Sequence, residues 1–265
     1  MHLFRGQLRK LIHRPATRWS LVALGGLLVL LYGGVVGATS QLTDAEGRAG
    51  LEPLLVFPDA YEIIVSVLIT LGGMAAATYA GMVRGGDFTW RTFGTVVARG
   101  ESRSRYVAAE YLAIALLAGV AFVLLLVFGT LVAAVASLAL GYGASGVGDP
   151  ETLVNLGLTS VLGWYSIAVQ ASFGLAAAAV TRSPLAGVVV IVALFFVEQL
   201  APIVVPVDVL AYAPLAATAA VASGARDLGT TASAEDLLKP LLIASAYFAA
   251  ALLVAFGASR RVDLE

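Results

Sequence analysis

Six long apolar runs, each nearly free of charge, dominate this 265-residue chain. They fall at about Trp19–Ser40, Ile63–Val83, Tyr111–Leu140, Leu156–Val180, Leu185–Leu200 and Leu241–Ser259. A helix needs about 20 apolar residues to cross a hydrocarbon core of about 30 Å, and most of these runs meet that length. Only 12% of the residues are charged and 60% are hydrophobic, whereas a soluble domain carries roughly 25% charge. A water-soluble core cannot hide that much apolar surface. The expected fold is an all-α integral membrane protein with six transmembrane helices in a single domain over residues 1–265. The third run exceeds what a bilayer needs and is expected to tilt or to project. The first run has no small-residue cleavage pattern and reads as a retained anchor.

The basic residues set an orientation. Arg5, Arg9, Lys10, Arg14 and Arg18 precede the first run, and Arg84, Arg91, Arg99, Arg103 and Arg105 lie between the second and third. Arg182 separates the fourth from the fifth, and Arg260 and Arg261 follow the sixth. Thirteen of the sixteen Lys and Arg residues therefore share one side, leaving Arg48, Arg226 and Lys239 for the other. The acids Asp44, Glu46, Glu52, Asp59, Asp149, Glu151, Asp208, Asp227, Glu235 and Asp236 fall in the opposite loops. Positive charge concentrates on the cytoplasmic face, so both termini are expected there, in the cell membrane. The apolar stretch Ile203–Ala222, inside segment 201–238, contains Pro206, Asp208 and Pro214. It is expected to form a short outer-side helical segment rather than a seventh span.

Several chemistries are excluded. There is no cysteine, and the only histidines, His2 and His13, lie near the N-terminus. Disulfides, thiolate catalysis and a Ser/His/Asp set within the spans are ruled out, and no metal site or catalytic residue is expected. The chain has no Gly-Lys pair and hence no phosphate-binding loop. A net charge of −1 gives no indication of nucleic acid binding.

Two polar segments stand out. Residues 1–18 include "LFRGQLRKLIHR", in which Phe4, Leu8, Leu11 and Ile12 share a helical face and Arg5, Arg9 and Lys10 crowd the rest. That pattern suits a helix in the membrane interface, apolar face in lipid and cations toward anionic headgroups. The second segment, residues 84–105, holds five arginines with aromatics among them. Gly85-Gly86 is expected to break the second span, Asp87 to cap a new helix over Phe88–Ala98, and Gly100 to end it. Its exposed arginines and aromatics are residue types enriched where proteins bind one another.

This segment resembles the stretch after span two in permeases of the ABC type-2 family. The family pattern runs acid, aromatic, any residue, aromatic, Gly-Thr, and then a basic Ala-Arg-Gly segment. Here Asp87 stands for the acid, Phe88 and Trp90 for the aromatics and Thr92 for the threonine, and "TVVARGESR" follows from Thr95 to Arg103. Arg91 replaces the glycine before the threonine, Gly94 replaces an arginine, Glu101 replaces an apolar residue, and Glu110 stands where lysine is usual. The resemblance covers the layout of the whole chain and about twenty residues in motif. It implies the permease subunit of an ATP-driven exporter, with an N-terminal elbow helix and a cytoplasmic coupling helix between spans two and three. It also implies a separate ATP-binding subunit that holds ATP and Mg, a second permease copy, and no cofactor in this chain. By the same resemblance Asp87, Phe88, Trp90, Arg91, Thr92, Arg99 and Arg103 would touch the ATP-binding subunit.

Glu198, beside Gln199, is the one acid within an apolar run. An intramembrane carboxylate marks either a structural contact or a substrate or proton site. The alternatives to an exporter are therefore a proton- or cation-coupled carrier using Glu198 and a non-transporting scaffold. The small-residue clusters "YGGVVG" and "GGMAAATYAG" suit close helix packing or dimerisation.

Overall fold

The computed structural model describes residues 2–42, 45–143, 145–226 and 234–261. Asp44, Asp227, Leu264 and Glu265 lie outside the described residues. Among the described residues the chain is all-helical: α1 (His2–Ile12), α2 (Pro15–Gln41), α3 (Ala45–Leu51), α4 (Ala60–Thr89), α5 (Thr92–Ala98), α6 (Arg103–Ala139), α7 (Pro150–Thr181), α8 (Ala186–Leu200), α9 (Val207–Leu210), α10 (Pro214–Arg226) and α11 (Ala234–Arg260). Six of them, α2, α4, α6, α7, α8 with its 3-10 extension to Ile203, and α11, are long and apolar enough to cross a membrane. The chain is an all-α, multi-pass membrane protein.

Lipid is needed on the outside of this bundle. Leu30, Val135, Val189 and Leu253 are all more than 60% exposed, and water would not tolerate a contiguous apolar surface of this extent. The spans alternate in direction, so one end of the bundle gathers the arginine-rich segments and the other the acidic ones. These are called here the basic end and the acidic end. α6 has 37 residues, about 55 Å at 1.5 Å per residue, so it reaches well beyond the hydrocarbon layer at the basic end.

α7 is the hub, touching α4, α6, α8, α10 and α11. Close approach is bought with missing side chains. Ala77, Gly81 and Gly85 form one stripe on α4, and a Cβ on Gly174 of α7 would collide with the carbonyl of Ala77. A Cβ on Gly81 would lie 2.5 Å from Gly187 Cα of α8. The glycines of the second cluster thus pack helices within one bundle. In the first cluster, Gly33, Gly34 and Gly37 have open space around them. Three buried clusters fill the interior, the smallest around Ala217, Val221 and Ala244. One, around Leu11, Phe93, Tyr106, Ile114 and Leu175, lies toward the basic end. Another, around Leu28, Tyr32, Ile64, Leu68 and Phe122, lies toward the acidic end.

Residues 203–222 form no helix of spanning length. The chain forms the short α9, turns, and enters the 13-residue α10 with Pro214 at its start. Proline at the first turn costs no hydrogen bond there, whereas mid-span it would.

Candidate functional site

The second span does not end where its glycines suggest. α4 continues through Gly85-Gly86 to Thr89. Gly85 faces the turn between α7 and α8, where a Cβ would overlap Ser183 and Pro184. Its role is close approach rather than helix breaking. Asp87 consequently sits in the last turns of α4 and does not cap α5. Its carboxylate accepts from Lys10 Nζ at 2.6 Å and from the Tyr106 hydroxyl. Asp87 is only 2% exposed, and it ties α1 and α6 to the end of α4.

The break comes at Arg91, whose backbone is left-handed at φ 54° and ψ 18°. That conformation is costly for any residue with a Cβ and free for glycine. α5 then runs from Thr92 to Ala98 and stops as expected at Gly100, with φ 93°. The Gly100 amide donates to Val97 O and the Glu101 amide to Val96 O, the paired bonds of a Schellman ending.

Beneath α5 lies a buried ionic centre. Arg84 is fully buried; its Nη1 donates to Glu110 Oε2 at 3.3 Å and its Nη2 to Ser259 Oγ at 2.6 Å. The guanidinium lies 4.4 Å from the ring centre of Phe93 and 4.6 Å from that of Phe88, a cation–π arrangement on both. Phe93 packs edge-on to Phe88 and Tyr106. Arg84 Nε and Glu110 Oε1 have no partner among the described residues. The centre therefore links α4, α5, α6 and α11 through one cation. Arg103, at the start of α6, donates to the carbonyl of Arg260 at 2.6 Å, where the end of α11 carries unsatisfied carbonyls.

The residues expected at a docking surface thus divide into two sets. Trp90 is 78% exposed, Arg91 and Arg99 are exposed, and Thr92 is half-buried. Phe88 packs partly inside, Asp87 is buried, and Arg103 is engaged with α11. The structure brings Trp90, Arg91 and Thr92 together on one exposed edge and places Asp87 below it.

The N-terminal helix departs from the interfacial reading. Leu11 is fully buried, and Phe4 and Leu8 pack against the same basic-end cluster. The apolar face of α1 packs on α6, with Lys10 drawn inward by Asp87. Ile12, Arg5 and Arg9 remain exposed. Thr17 and Tyr79 share a hydrogen bond at 2.8 Å, and Thr17 donates to Leu11 O at 2.7 Å, fixing the elbow between α1 and α2.

Glu198 lies toward the acidic end of α8 and clamps the start of α10. Its two carboxylate oxygens accept from the amides of Leu215 at 2.8 Å and Ala216 at 2.7 Å, donors that a helix start leaves without partners. Gln199 beside it is exposed. No group of three metal-ligating side chains occurs among the described residues.

Sequence reasoning missed the ionic centre. Arg84 counted as one more flanking cation, and Glu110 registered only as a departure from a family pattern. The available signal was two opposite charges immediately flanking the facing ends of adjacent apolar runs. No protein-family model matches the chain, and no curated protein matches it.

Proposed function

We propose that the chain is the membrane-spanning permease subunit of an ATP-driven exporter resembling the ABC type-2 family. The observation that carries this reading is the exposed Trp90–Arg91–Thr92 edge at the end of the second span. There the backbone turns left-handed at the residue for which the family pattern keeps glycine. A short helix fixed at this place suits docking on a separate ATP-binding subunit, which would hold ATP and Mg. Aromatic and arginine side chains are the usual anchors of such contacts.

In this reading both termini and α5 are cytoplasmic, in agreement with the distribution of arginine. A second permease copy completes the pathway. ATP-driven closure of the ATP-binding subunits pulls on α5. Phe93, Arg84 and Asp87 pass the movement to α4, α6, α11 and α1, because each is buried and bonded across those helices. A carrier built on Glu198 gains no support, since both oxygens of that carboxylate already hold backbone amides.

The test is the Trp90→Ala/Arg91→Ala double variant in cells that express the chain with its ATPase partner. Co-purification of the ATPase and transport should both fall, while the yield of folded protein stays unchanged. Normal recruitment and transport in that variant would remove the basis for the coupling role.

A further inference from the structure

A cleft of about 960 Å³ opens between α4, α7 and α10 toward the acidic end, within the range of roughly 300–1,000 Å³ found for small-molecule sites. Three exposed carboxylates line it: Asp59 and Glu62 at the start of α4, and Asp149 at the start of α7. Among the described residues no Lys, Arg or His lines it. Asp59 and Asp149 stand at N-cap positions, the usual structural use of an aspartate, yet neither side chain makes the capping hydrogen bond. Ile69, Leu156 and the alanine face of α10 supply apolar walls.

Thr159, on the α7 side of the cleft, gives a second and independent indication. It is 4% exposed, and its hydroxyl has no partner among the described residues. Hydroxyls elsewhere on the spans bond back to the carbonyl four residues earlier, as Thr130, Ser160 and Ser166 do. A buried hydroxyl without a partner is costly and marks a place where a ligand or water supplies one. The carboxylates are not grouped closely enough to chelate a metal ion.

We propose that this cleft binds an amphipathic organic cation. Its positive charge lies against the carboxylates of Asp59 and Asp149, with Glu62 adding to the negative field of the cleft. Its apolar body lies against α10 and the Ile69–Leu156 wall, and a polar group on it meets the Thr159 hydroxyl. Binding stands without the exporter reading; only the identification of the ligand as exported cargo rests on it.

The test uses the full chain in nanodiscs, with ethidium as a fluorescent cation read by anisotropy. Saturable binding is expected, with displacement by tetraphenylphosphonium and none by the neutral triphenylphosphine oxide. Asp59→Asn/Asp149→Asn should raise Kd about tenfold, as the loss of two exposed charge contacts implies. Ala219→Lys places a cation on the α10 wall and should abolish binding with the carboxylates intact. Nanodiscs with and without phosphatidylethanolamine separate two sources of the cationic group. Displacement of ethidium by that lipid assigns the cleft to a headgroup, and no displacement assigns it to a soluble cation. Unchanged Kd in both variants, or equal displacement by the neutral compound, overturns the proposal. No ATPase takes part, so failure here leaves the docking assignment intact, and loss of docking leaves ethidium binding intact.

Discussion

At the basic end of the bundle an arginine and a glutamate pair in full burial; at the acidic end two aspartates face an open cleft. Arg84, Glu110, Asp87 and Lys10 join α1, α4 and α6 through two ion pairs, one of them fully buried. Asp59 and Asp149 line the exposed cleft between α4, α7 and α10. α4, α7 and α8 come into near backbone contact at Gly81, Gly174 and Gly187, whereas Gly33 and Gly37 of α2 have open space around them. A buried, cross-linked end can transmit a displacement because its parts move together, whereas an open polar end can admit a solute. The comparison predicts that single changes at the basic end act on the whole bundle and those at the acidic end act locally.

The largest effect should come from Arg84→Ala. It strands Glu110 in a site with no exposure, and removing one member of a buried ion pair costs about 3–5 kcal/mol. Unfolding of the purified protein in detergent, followed by circular dichroism against denaturant, reads this loss. Arg84→Met with Glu110→Leu should recover most of it, because paired removal leaves no orphan charge. If Arg84→Ala melts like the parent, the basic end is not held by this centre and the comparison fails.

Gly174→Ala comes next. The added methyl meets the Ala77 carbonyl, a backbone atom that cannot rotate away, and overpacking of this kind costs typically about 1–3 kcal/mol. The same substitution at Gly33 meets nothing and should leave the melting curve in place. Equal effects at the two positions would remove the packing difference between α7 and α2.

Glu198→Ala tests the acidic end. Losing a side-chain cap costs about 1 kcal/mol. Here the loss should appear as faster hydrogen exchange at the Leu215 and Ala216 amides, with little change in global unfolding. A collapse of the whole protein would show that α10 is as integral as α4.

The contrast explains what could be read from the chain. The six spans were readable because apolar length is a local property, and helices in lipid satisfy their own backbone groups. The stop at Gly100 was readable for the same reason, since a left-handed glycine ends a helix by itself. Gly85-Gly86 was misread because the two uses of glycine, breaking a helix and admitting a neighbour, look alike in sequence. Only the presence of Ser183 and Pro184 against Gly85 separates them, and that neighbour is about a hundred residues away. Lys10 with Asp87, and Arg84 with Glu110 and Ser259, are likewise pairings across the bundle. α1 was expected in lipid because an amphipathic helix has the same pattern whether its apolar face meets acyl chains or α6.

The smallest effect concerns the turn where α4 gives way to α5. Arg91 and Arg182 are the described non-glycine residues with positive φ, at 54° and 56°, and both end a span at the basic end. A left-handed residue with a Cβ carries a penalty of about 1–2 kcal/mol, against roughly 0.5–1 kcal/mol of extra backbone entropy that glycine loses on folding. Arg91→Gly should therefore stabilise the chain slightly, by about 0.5 kcal/mol, and Arg182→Gly by a similar amount. Both are read as small shifts of the unfolding midpoint. The two sites should differ in function. In the docking reading, the Arg91 side chain contributes contact beside Trp90, so Arg91→Gly keeps the turn yet weakens ATPase capture, while Arg182→Gly leaves capture unchanged. Weakened capture without lost stability would separate the side chain of Arg91 from the turn it occupies. Unchanged capture would mean that only the backbone shape at this position matters and that Trp90 carries the contact.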